Sequence, residues 1–258
     1  MARAPLRVTV VGRGKAGGSL MASLRRARMK PVSLSSRESL RLAHVDIVLL
    51  AVSDDAITDV AERLDVAPGV IVAHVAGARG LEALPIKLRR GVFHPLAALD
   101  GTQPIPAETL CATDGDDDLI DATLHALARR LRLQPRRVVD VDRARYHAGA
   151  VIAGNLATAL LQLGVEQLQR AGIDEAVART SLARLLASTA QRAIEAPLGE
   201  AVTGPVARGD VATVALHLAV LDDDDDAADA YRLLSRLLVA RVKPAKAAGR
   251  NWRILDDT

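Results

Sequence analysis

The hydrophobic pattern of the first half of the chain predicts strands and helices in alternation. Val8, Val10 and Val11 form a short apolar run, and Val45 to Val52 (VDIVLLAV) forms a longer one. Such a continuous run is typical of a parallel strand whose two faces are both covered. Similar runs predict further strands at residues 31–35, 69–75, 91–95, 110–112 and 137–141. With helical spacing between them, the pattern predicts an α/β Rossmann domain over residues 1–141, with a doubly wound, mostly parallel sheet.

The pattern changes near Asp142, after which no segment reads convincingly as a strand. Apolar residues recur at helical spacing instead, and Asp174 and Asp210 stand where N-terminal caps belong. Helices are predicted over residues 142–171, 174–195, 210–220 and about 222–241. The sequence therefore predicts a second, all-α domain over residues 142–258, which serves substrate binding and dimerisation.

The first of these helices contains an uncharged stretch, Tyr146 to Val165, that has the length of a membrane span. It is rich in alanine and contains Gly149, Gly154 and Asn155, and no second span or anchoring aromatic residues accompany it. We therefore expect a helix buried in protein, at the centre of the second domain or of a two-fold homodimer, and no membrane partner.

Composition narrows the classes of function. Of the 258 residues 50% are hydrophobic and 2% aromatic, with a net charge of +3 and no long basic run, so nucleic acid is not an expected partner. The only cysteine is Cys111, and no secretory signal is evident, so we expect a cytoplasmic protein. The acidic run Asp222–Asp226 is interpreted as a helix start, and no metal site is predicted.

A glycine-rich turn follows the first predicted strand and opens a helix. Gly12, Gly14 and Gly17 form a G-x-G-x-x-G, whose intervening residues are Arg13, Lys15 and Ala16. In a dinucleotide site these glycines permit a tight turn, a close approach of the pyrophosphate and close helix packing. The pattern predicts dinucleotide binding; the alternative is a glycine turn in an α/β domain that binds no nucleotide.

The end of the second predicted strand indicates which dinucleotide binds. A site that prefers NAD carries an acidic residue there for the ribose 2′-hydroxyl, but this chain has Ser35, Ser36 and Arg37. Two hydroxyls and an arginine suit a 2′-phosphate, and Arg13 could add to them, so the predicted cofactor is NADP. Later strand ends supply the remaining predicted cofactor-binding residues, which are Val52, Ser53 and Gly77.

Histidines and one asparagine are the candidates for catalysis. His94 follows a short predicted strand, and His147 and Asn155 lie eight residues apart on the long helix, so they can project on related faces. Asn155 needs a polar partner if it is buried, which is either a substrate or a neighbouring backbone group. A small-molecule substrate is also suggested by the loop at residues 198–210, in which Arg208 could hold a carboxylate beside Thr203. Asp210 either orients that arginine or caps the next helix.

These segments together resemble a known family. VVGRGKAGGSL, SSR, VDIVLLAVSDDAI, HVAG, FHPL, YHAGAVIAGNLATALL and TGPVARGD are similar to those of a bacterial family of Rossmann-like NADP oxidoreductases without an assigned function. The family resembles pyrroline-5-carboxylate reductase, ketopantoate reductase and the 6-phosphogluconate dehydrogenase superfamily in plan. The resemblance implies a nicotinamide that rests between the domains, beside the long helix.

The chain departs from these relatives at one position of the long helix. Ketopantoate reductases use a lysine and an asparagine there; Asn155 matches the asparagine, but the helix has no lysine, and His147 is the nearest substitute. We therefore expect an NADP-dependent oxidoreductase that transfers hydride to a carbonyl or imine of a small carboxylated metabolite, with ketopantoate as the named candidate. His147 or His94 would donate the proton and Asn155 would hydrogen-bond the reacting oxygen. The alternative is a non-catalytic regulator or scaffold that binds NADP(H).

Overall fold

The apolar runs of the first half of the chain form a seven-stranded, mostly parallel sheet. The structure is a computed structural model and describes residues 6–256 apart from Ser39. The sheet has the order β2-β1-β4-β6-β7-β8-β9, in which only the β7–β8 pair is antiparallel, and β3 and β5 form a separate parallel pair. The strands are β1 (Val8–Val11), β2 (Val32–Leu34), β3 (Arg41–Leu42), β4 (Ile47–Leu50), β5 (Asp65–Val66), β6 (Ile71–His74), β7 (Arg89–Pro95), β8 (Leu110–Gly115) and β9 (Gln134–Arg137).

Alternation along the strands divides the apolar side chains between two cores. Val10 and Leu49 face the core that contains α1 and α3, whereas Val11 and Leu50 face the core that contains α2. Each fully buried residue of this kind contributes about 1.5–3 kcal/mol. The helices of this part of the chain are α1 (Lys15–Arg26), α2 (Ile57–Glu62), α3 (Asp118–Arg130) and α4 (Asp140–Ala153), with short 3₁₀ segments at Asp54–Ala56 and Leu81–Ala83. The predicted Rossmann architecture is confirmed.

The strand predicted at residues 137–141 is wrong. The last strand is β9, and α4 already begins at Asp140. Val138, Val139 and Val141 suggest a strand because they are β-branched, but Asp140 and Asp142 favour a helix start, where carboxylates meet the positive end of the dipole. The Asp140 carboxylate also accepts a hydrogen bond from the Leu81 amide, which fixes the start of α4 on the sheet domain.

The described residues that follow α4 contain helices and no strand, as predicted. Asp174, Asp210 and Asp224 cap α6, α9 and α10 with their side chains. The segment at residues 198–209, predicted as a loop, contains two four-residue helices. The helices are α5 (Asn155–Arg170), α6 (Glu175–Glu195), α7 (Leu198–Ala201), α8 (Pro205–Arg208), α9 (Val211–Val220) and α10 (Asp225–Leu237), followed by a π-helical turn at Leu238–Val242 and 3₁₀ turns at Ala245–Ala247 and Arg253–Leu255.

The chain divides into two compact units, Met1–Gly154 and Asn155–Thr258. The division falls after Gly154 rather than after Val141, where the sequence predicts it. The reason lies in α4, on which Arg143 is buried and the Tyr146 hydroxyl lies 2.8 Å from His94 Nδ1 of β7. Gly154 then interrupts the helix, so the single long helix predicted at residues 142–171 is two helices, α4 and α5.

The apolar helix region from Asp140 to Arg170 is exposed in the single chain, so it is not buried within the second domain, and its predicted burial in a homodimer stays a prediction. It is long and apolar enough to cross a membrane by length and composition, and only 6% of its most apolar window is buried. On α5 Leu160 is 43% exposed, and on the neighbouring α6 Leu185 is 60% exposed. Burial within the chain fails because the small residues that permit close packing do not by themselves supply a partner there.

Candidate functional site

The glycine turn between β1 and α1 has one glycine that is free to receive a ligand and two that the fold requires. Gly12 has a φ of +120°, and a Cβ there would lie 2.1 Å from the Ala51 carbonyl oxygen. A Cβ on Gly17 would lie 2.0 Å from the Gly12 carbonyl oxygen, whereas a Cβ on Gly14 would meet nothing within 4 Å. Gly14 therefore has open space around it, at the N-terminus of α1.

The start of α1 leaves backbone N–H groups without an internal partner. Gly14 is the N-cap residue and makes no side-chain cap, and Lys15 and Ala16 lie in the first turn. In the sheet, β1 lies between β2 and β4, so the chain leaves β1 in one direction and returns on the other side. The carboxyl end of such a switch point is where open α/β sheets bind ligands. The turn can therefore hold an anion such as a pyrophosphate.

The residues predicted for a 2′-phosphate lie directly after β2. The Ser35 hydroxyl accepts a hydrogen bond from the Arg37 amide, and the Ser36 carbonyl accepts one of 2.6 Å from Arg63. Arg13 makes a 2.8 Å ion pair with Glu38, which connects the glycine turn to this segment. Sequence reasoning missed Arg63, because it is distant along the chain. It also missed Glu38, although this residue directly follows Arg37.

A cleft of about 330 Å³ lies at the carboxyl ends of β6 and β7. Val52 and Ser53 follow β4 nearby in sequence, and Ser53 precedes the 3₁₀ segment that carries Asp54 without capping it by its side chain. The residues that line this cleft come from the start of α1, from the segments after β4 and β6, from the end of β7 and from α4. They include Lys15, Ala16, Asp54, Gly77, His94 and His147. The fold thus brings together two of the three predicted catalytic residues.

His94 and His147 converge over Gly77. A Cβ on Gly77 would lie 2.6 Å from His147 Nδ1 and 2.9 Å from His94 Nε2, so both nitrogens point at the same small space. The two rings are 6.3 Å apart, edge to face. His147 Nδ1 is buried and has no hydrogen-bond partner among the described residues. A buried polar atom without a partner is costly, so this nitrogen is suited to a ligand atom.

The other nitrogen of His94 has a partner on α4. His94 Nδ1 and the Tyr146 hydroxyl lie 2.8 Å apart, with the two rings edge to face. Burial, with smaller contributions from His147, Arg143 and His74, lowers the pKa of His94 to about 4. Burial raises the pKa of Tyr146 to about 12. Burial therefore favours the neutral form of His94 at physiological pH.

His74 stands behind this site with a fixed tautomer. Its Nδ1 accepts a hydrogen bond from the Ala76 amide, so Nε2 carries the hydrogen and donates to the Gly80 carbonyl at 2.9 Å. Burial lowers the pKa of His74. These bonds order the turn that leads from β6 to Gly77, and they give His74 a structural role.

Arg143 is a buried cation that sequence reasoning missed. Its side chain is 1% exposed, and none of its three guanidinium nitrogens has a hydrogen-bond partner in the described part of the chain. The nearest carboxylate is that of Asp140, at 3.9 Å. Burial lowers the pKa of this guanidinium. The charge lies one helical turn before Tyr146 and His147 and makes the protonation of His94 less favourable.

The remaining predicted site residues belong to the C-terminal unit. Asn155 is exposed and begins α5. Thr203 and Arg208 line a cleft of about 460 Å³ together with Lys246. Asp210 accepts hydrogen bonds from both the amide and the hydroxyl of Thr213, so it is the cap of α9. The geometry thus brings Thr203 and Arg208 to one cleft.

Comparisons with known proteins identify the same architecture. The profile of a family described as a domain of unknown function (DUF2520) matches residues 109–238, half of the chain. No curated protein sequence matches it.

Two solved structures align with a TM-score of 0.71: a Bacteroides fragilis protein named as a candidate NADP oxidoreductase (19% identity, 92% of this chain and 98% of that one) and a Thermotoga maritima protein (20%, 93% and 99%). The pyrroline-5-carboxylate reductase of Streptococcus pyogenes aligns at 0.62 (14%, 92% and 98%). At these identities the likeness is one of fold, and the predicted resemblance in plan is confirmed.

The guanidinium of Arg143, which is buried without a hydrogen bond among the described residues, predicts an unusual response to mutation. We expect Arg143→Met to leave the free energy of unfolding unchanged or to raise it, by up to about 4 kcal/mol, because a buried cation with only one carboxylate, at 3.9 Å, is replaced by an apolar side chain. Urea denaturation of the purified protein measures this difference.

The matched control is Arg90→Met. Arg90 binds Asp116 through two nitrogens, so its removal should cost about 1–3 kcal/mol. An equal loss of stability in both variants would mean that the Arg143 guanidinium has a partner in solution, and it would contradict the prediction.

Proposed function

The chain belongs to the family of the domain of unknown function (DUF2520), and on that premise we propose that it is an NADP(H)-dependent oxidoreductase. The observation that carries the proposal is that three features suited to a cofactor lie side by side along one edge of the sheet. The open glycine position, the free start of α1 and the cleft with two imidazoles all lie at the carboxyl ends of neighbouring parallel strands.

The cofactor would lie along this edge. The N–H groups at Gly14, Lys15 and Ala16 would bind the pyrophosphate, and the hydroxyls of Ser35 and Ser36 with Arg37 would bind the 2′-phosphate. The nicotinamide would lie toward Gly77, where the cleft is. Support comes from a similar fold, the pyrroline carboxylate reductase of Plasmodium falciparum, whose structure has NADP bound (11% identity, TM-score 0.58, 94% and 98% coverage).

The bound cofactor would supply hydride to a carbonyl or imine carbon of a small metabolite. His147 Nδ1 would exchange a proton with the reacting atom, and His94 would hydrogen-bond that atom through Nε2. Within the C-terminal unit, the cleft that Thr203, Arg208 and Lys246 line has by itself the charge to suit a carboxylate. Ketopantoate has the required keto and carboxylate groups, so it is our named candidate.

A binding protein without turnover is the second candidate function. The observation that favours it is that neither α4 nor α5 contains a lysine, which removes the proton donor that ketopantoate reductases use. In that case NADP(H) would act as a signal. Proton transfer then has no role, and His147 would serve only the packing of α4 over Gly77.

The exposed apolar face of the C-terminal unit supports a homodimer. A groove of about 250 Å³ between α5 and α6 is lined almost entirely by apolar side chains: Ala157, Leu160, Leu161, Gly164, Leu182, Leu185, Leu186 and Thr189. A second copy would cover this face about a two-fold axis, because such an axis brings the same apolar face of both chains together. Contiguous apolar surface of this kind is otherwise rare on soluble monomers.

Cofactor binding is the first test. Calorimetric titration should give at least about tenfold tighter binding of NADPH than of NADH, a factor that corresponds to about 1.4 kcal/mol. Gly14→Ala should weaken both because a Cβ would occupy the space for the pyrophosphate, and Arg37→Ala should weaken NADPH alone. Arg129→Ala, at an exposed site in the last turn of α3, is the control and should change neither. Binding of neither dinucleotide would overturn the proposal.

Turnover separates the two candidate functions. With keto acids that include ketopantoate, and with cyclic imines, an enzyme should oxidise NADPH, and His147→Gln should lower the rate by about 100-fold or more at unchanged NADPH affinity. His44→Asn, at an exposed residue with a positive φ that asparagine tolerates, should have no effect. NADPH binding without turnover of any of these compounds would favour the regulator.

The oligomeric state tests the proposed dimer. Light scattering should give twice the chain mass of 27.3 kDa, and Leu160→Asp should give the monomer. Leu119→Asp, at an exposed leucine of α3, is the control and should leave the dimer intact. A wild-type monomer that binds NADPH would refute the dimer, and its sedimentation with phospholipid vesicles would indicate that lipid covers the face.

A further inference from the structure

We propose that Tyr146 is a positioning residue that keeps the hydrogen of the His94 imidazole on Nε2, so that the cleft presents a fixed hydrogen-bond donor to a substrate oxygen. The inference rests on the proposed function for the identity of the ligand. The hydrogen-bond geometry itself is independent of that function and can be measured without cofactor or substrate.

The surroundings of Tyr146 indicate which group donates in the hydrogen bond between its hydroxyl and His94 Nδ1. The 2.8 Å contact between its hydroxyl and His94 Nδ1 admits two arrangements, since either group can donate. The described residues offer Tyr146 Oη no other hydrogen-bond acceptor, so only the arrangement in which it donates to His94 Nδ1 uses its hydrogen within the protein. Tyr146 therefore donates, Nδ1 accepts, and the hydrogen of the neutral ring is on Nε2.

Charges around the ring oppose a second proton on His94. Arg143 and His147 approach it from α4 and His74 from β6, and each of them disfavours the imidazolium. Lys15 and Asp54 line the same cleft with opposite charges. Of Arg143, His147 and His74, Arg143 is the permanent cation; it makes no hydrogen bond among the described residues, and its burial leaves its field poorly screened. The ring is thereby kept neutral by charge and burial, and in one tautomer by Tyr146.

The two imidazoles over Gly77 consequently have different roles. His94 Nε2–H is a hydrogen-bond donor, and His147 Nδ1 is a buried nitrogen without a partner among the described residues, which is assigned the proton transfer. In a reduction the carbonyl carbon would accept hydride from NADPH, which would leave as NADP+, and the carbonyl π electrons would move to oxygen. That oxygen would take one proton, which solvent supplies by way of His147. His94 would stabilise the developing negative charge throughout. This arrangement suits a ketone or aldehyde better than a cationic iminium, which would face a donor and the Arg143 charge.

The chain contains a matched comparison in its C-terminal unit. His217 Nδ1 and the Tyr231 hydroxyl also lie 2.8 Å apart, and their rings have the same 5.6 Å separation and 89° angle as those of His94 and Tyr146. This second pair contributes nothing to the cleft over Gly77. Removal of the Tyr231 hydroxyl is therefore the control for removal of the Tyr146 hydroxyl.

The test is NMR spectroscopy of the full chain with ¹⁵N-labelled histidine, in which nitrogen shifts distinguish the two neutral tautomers and the imidazolium. His94 signals are assigned from their loss in His94→Gln. We expect His94 to be neutral from pH 5 upward, with the Nε2–H tautomer in excess by about tenfold or more. In Tyr146→Phe both tautomers should become populated, whereas Tyr231→Phe should alter only His217.

Three results would overturn the inference: a hydrogen on Nδ1 of His94, titration of His94 near its ordinary pKa of about 6.5, or an unchanged tautomer ratio in Tyr146→Phe. The wild-type spectrum alone decides the first two, so a poorly folded variant does not prevent the test. Reduction of cyclic imines but not of keto acids would contradict the role of the donor. Titration of the same sample with NADPH reports separately on the proposed function, whose failure would leave the tautomer result unaffected.

Discussion

The close approach of the backbone around the glycine turn is the constraint on which the N-terminal unit depends. Gly12 lies against Ala51 at the end of β4, and Gly17 lies against Gly12, so that side chains at either position would collide with backbone atoms. The approach sets the angle at which α1 leaves the sheet and allows Leu20 and Leu24 to enter the core. It also leaves the start of α1 open at the edge of the sheet, where the only unobstructed glycine of the motif, Gly14, is exposed to a ligand.

A second close approach creates the chemical part of the site. Because Gly77 lacks a side chain, the imidazoles of His94 and His147 can both lie over the end of β6. Asp140 fixes the start of α4 through the Leu81 amide, and Arg143 and Tyr146 then face the strand ends. Burial of Arg143 without a hydrogen bond among the described residues lowers the free energy of unfolding. In return, it places a positive charge beside His94. Stability and function thus impose different demands on the same helix.

The C-terminal unit has a small core and a large apolar exterior. Val206, Val214, Leu218 and Leu255 form one buried cluster, whereas the leucines of α5 and α6 remain outside it. The helices themselves are well specified, because acidic caps at Asp174, Asp210 and Asp224 begin three of them. Local signals of this kind define helices without defining what the exposed faces contact.

The sequence by itself determined the elements whose signals are local. The apolar runs predicted β1, β4 and β6, because strands that are buried on both faces need apolar residues throughout. The glycine spacing predicted the turn, because close approach of the backbone excludes side chains there. The aspartates predicted the starts of helices. The histidines were also identified from the sequence, but not their arrangement. Only the tertiary structure decided that His94 and His147 meet over Gly77 and that Tyr146 binds His94. It also decided that Arg13 pairs with Glu38, that Arg143 is buried without a hydrogen bond among the described residues, and that the long helix is broken and is exposed in the single chain. These features depend on groups that are distant along the chain, and no local pattern of residues encodes the distance between them.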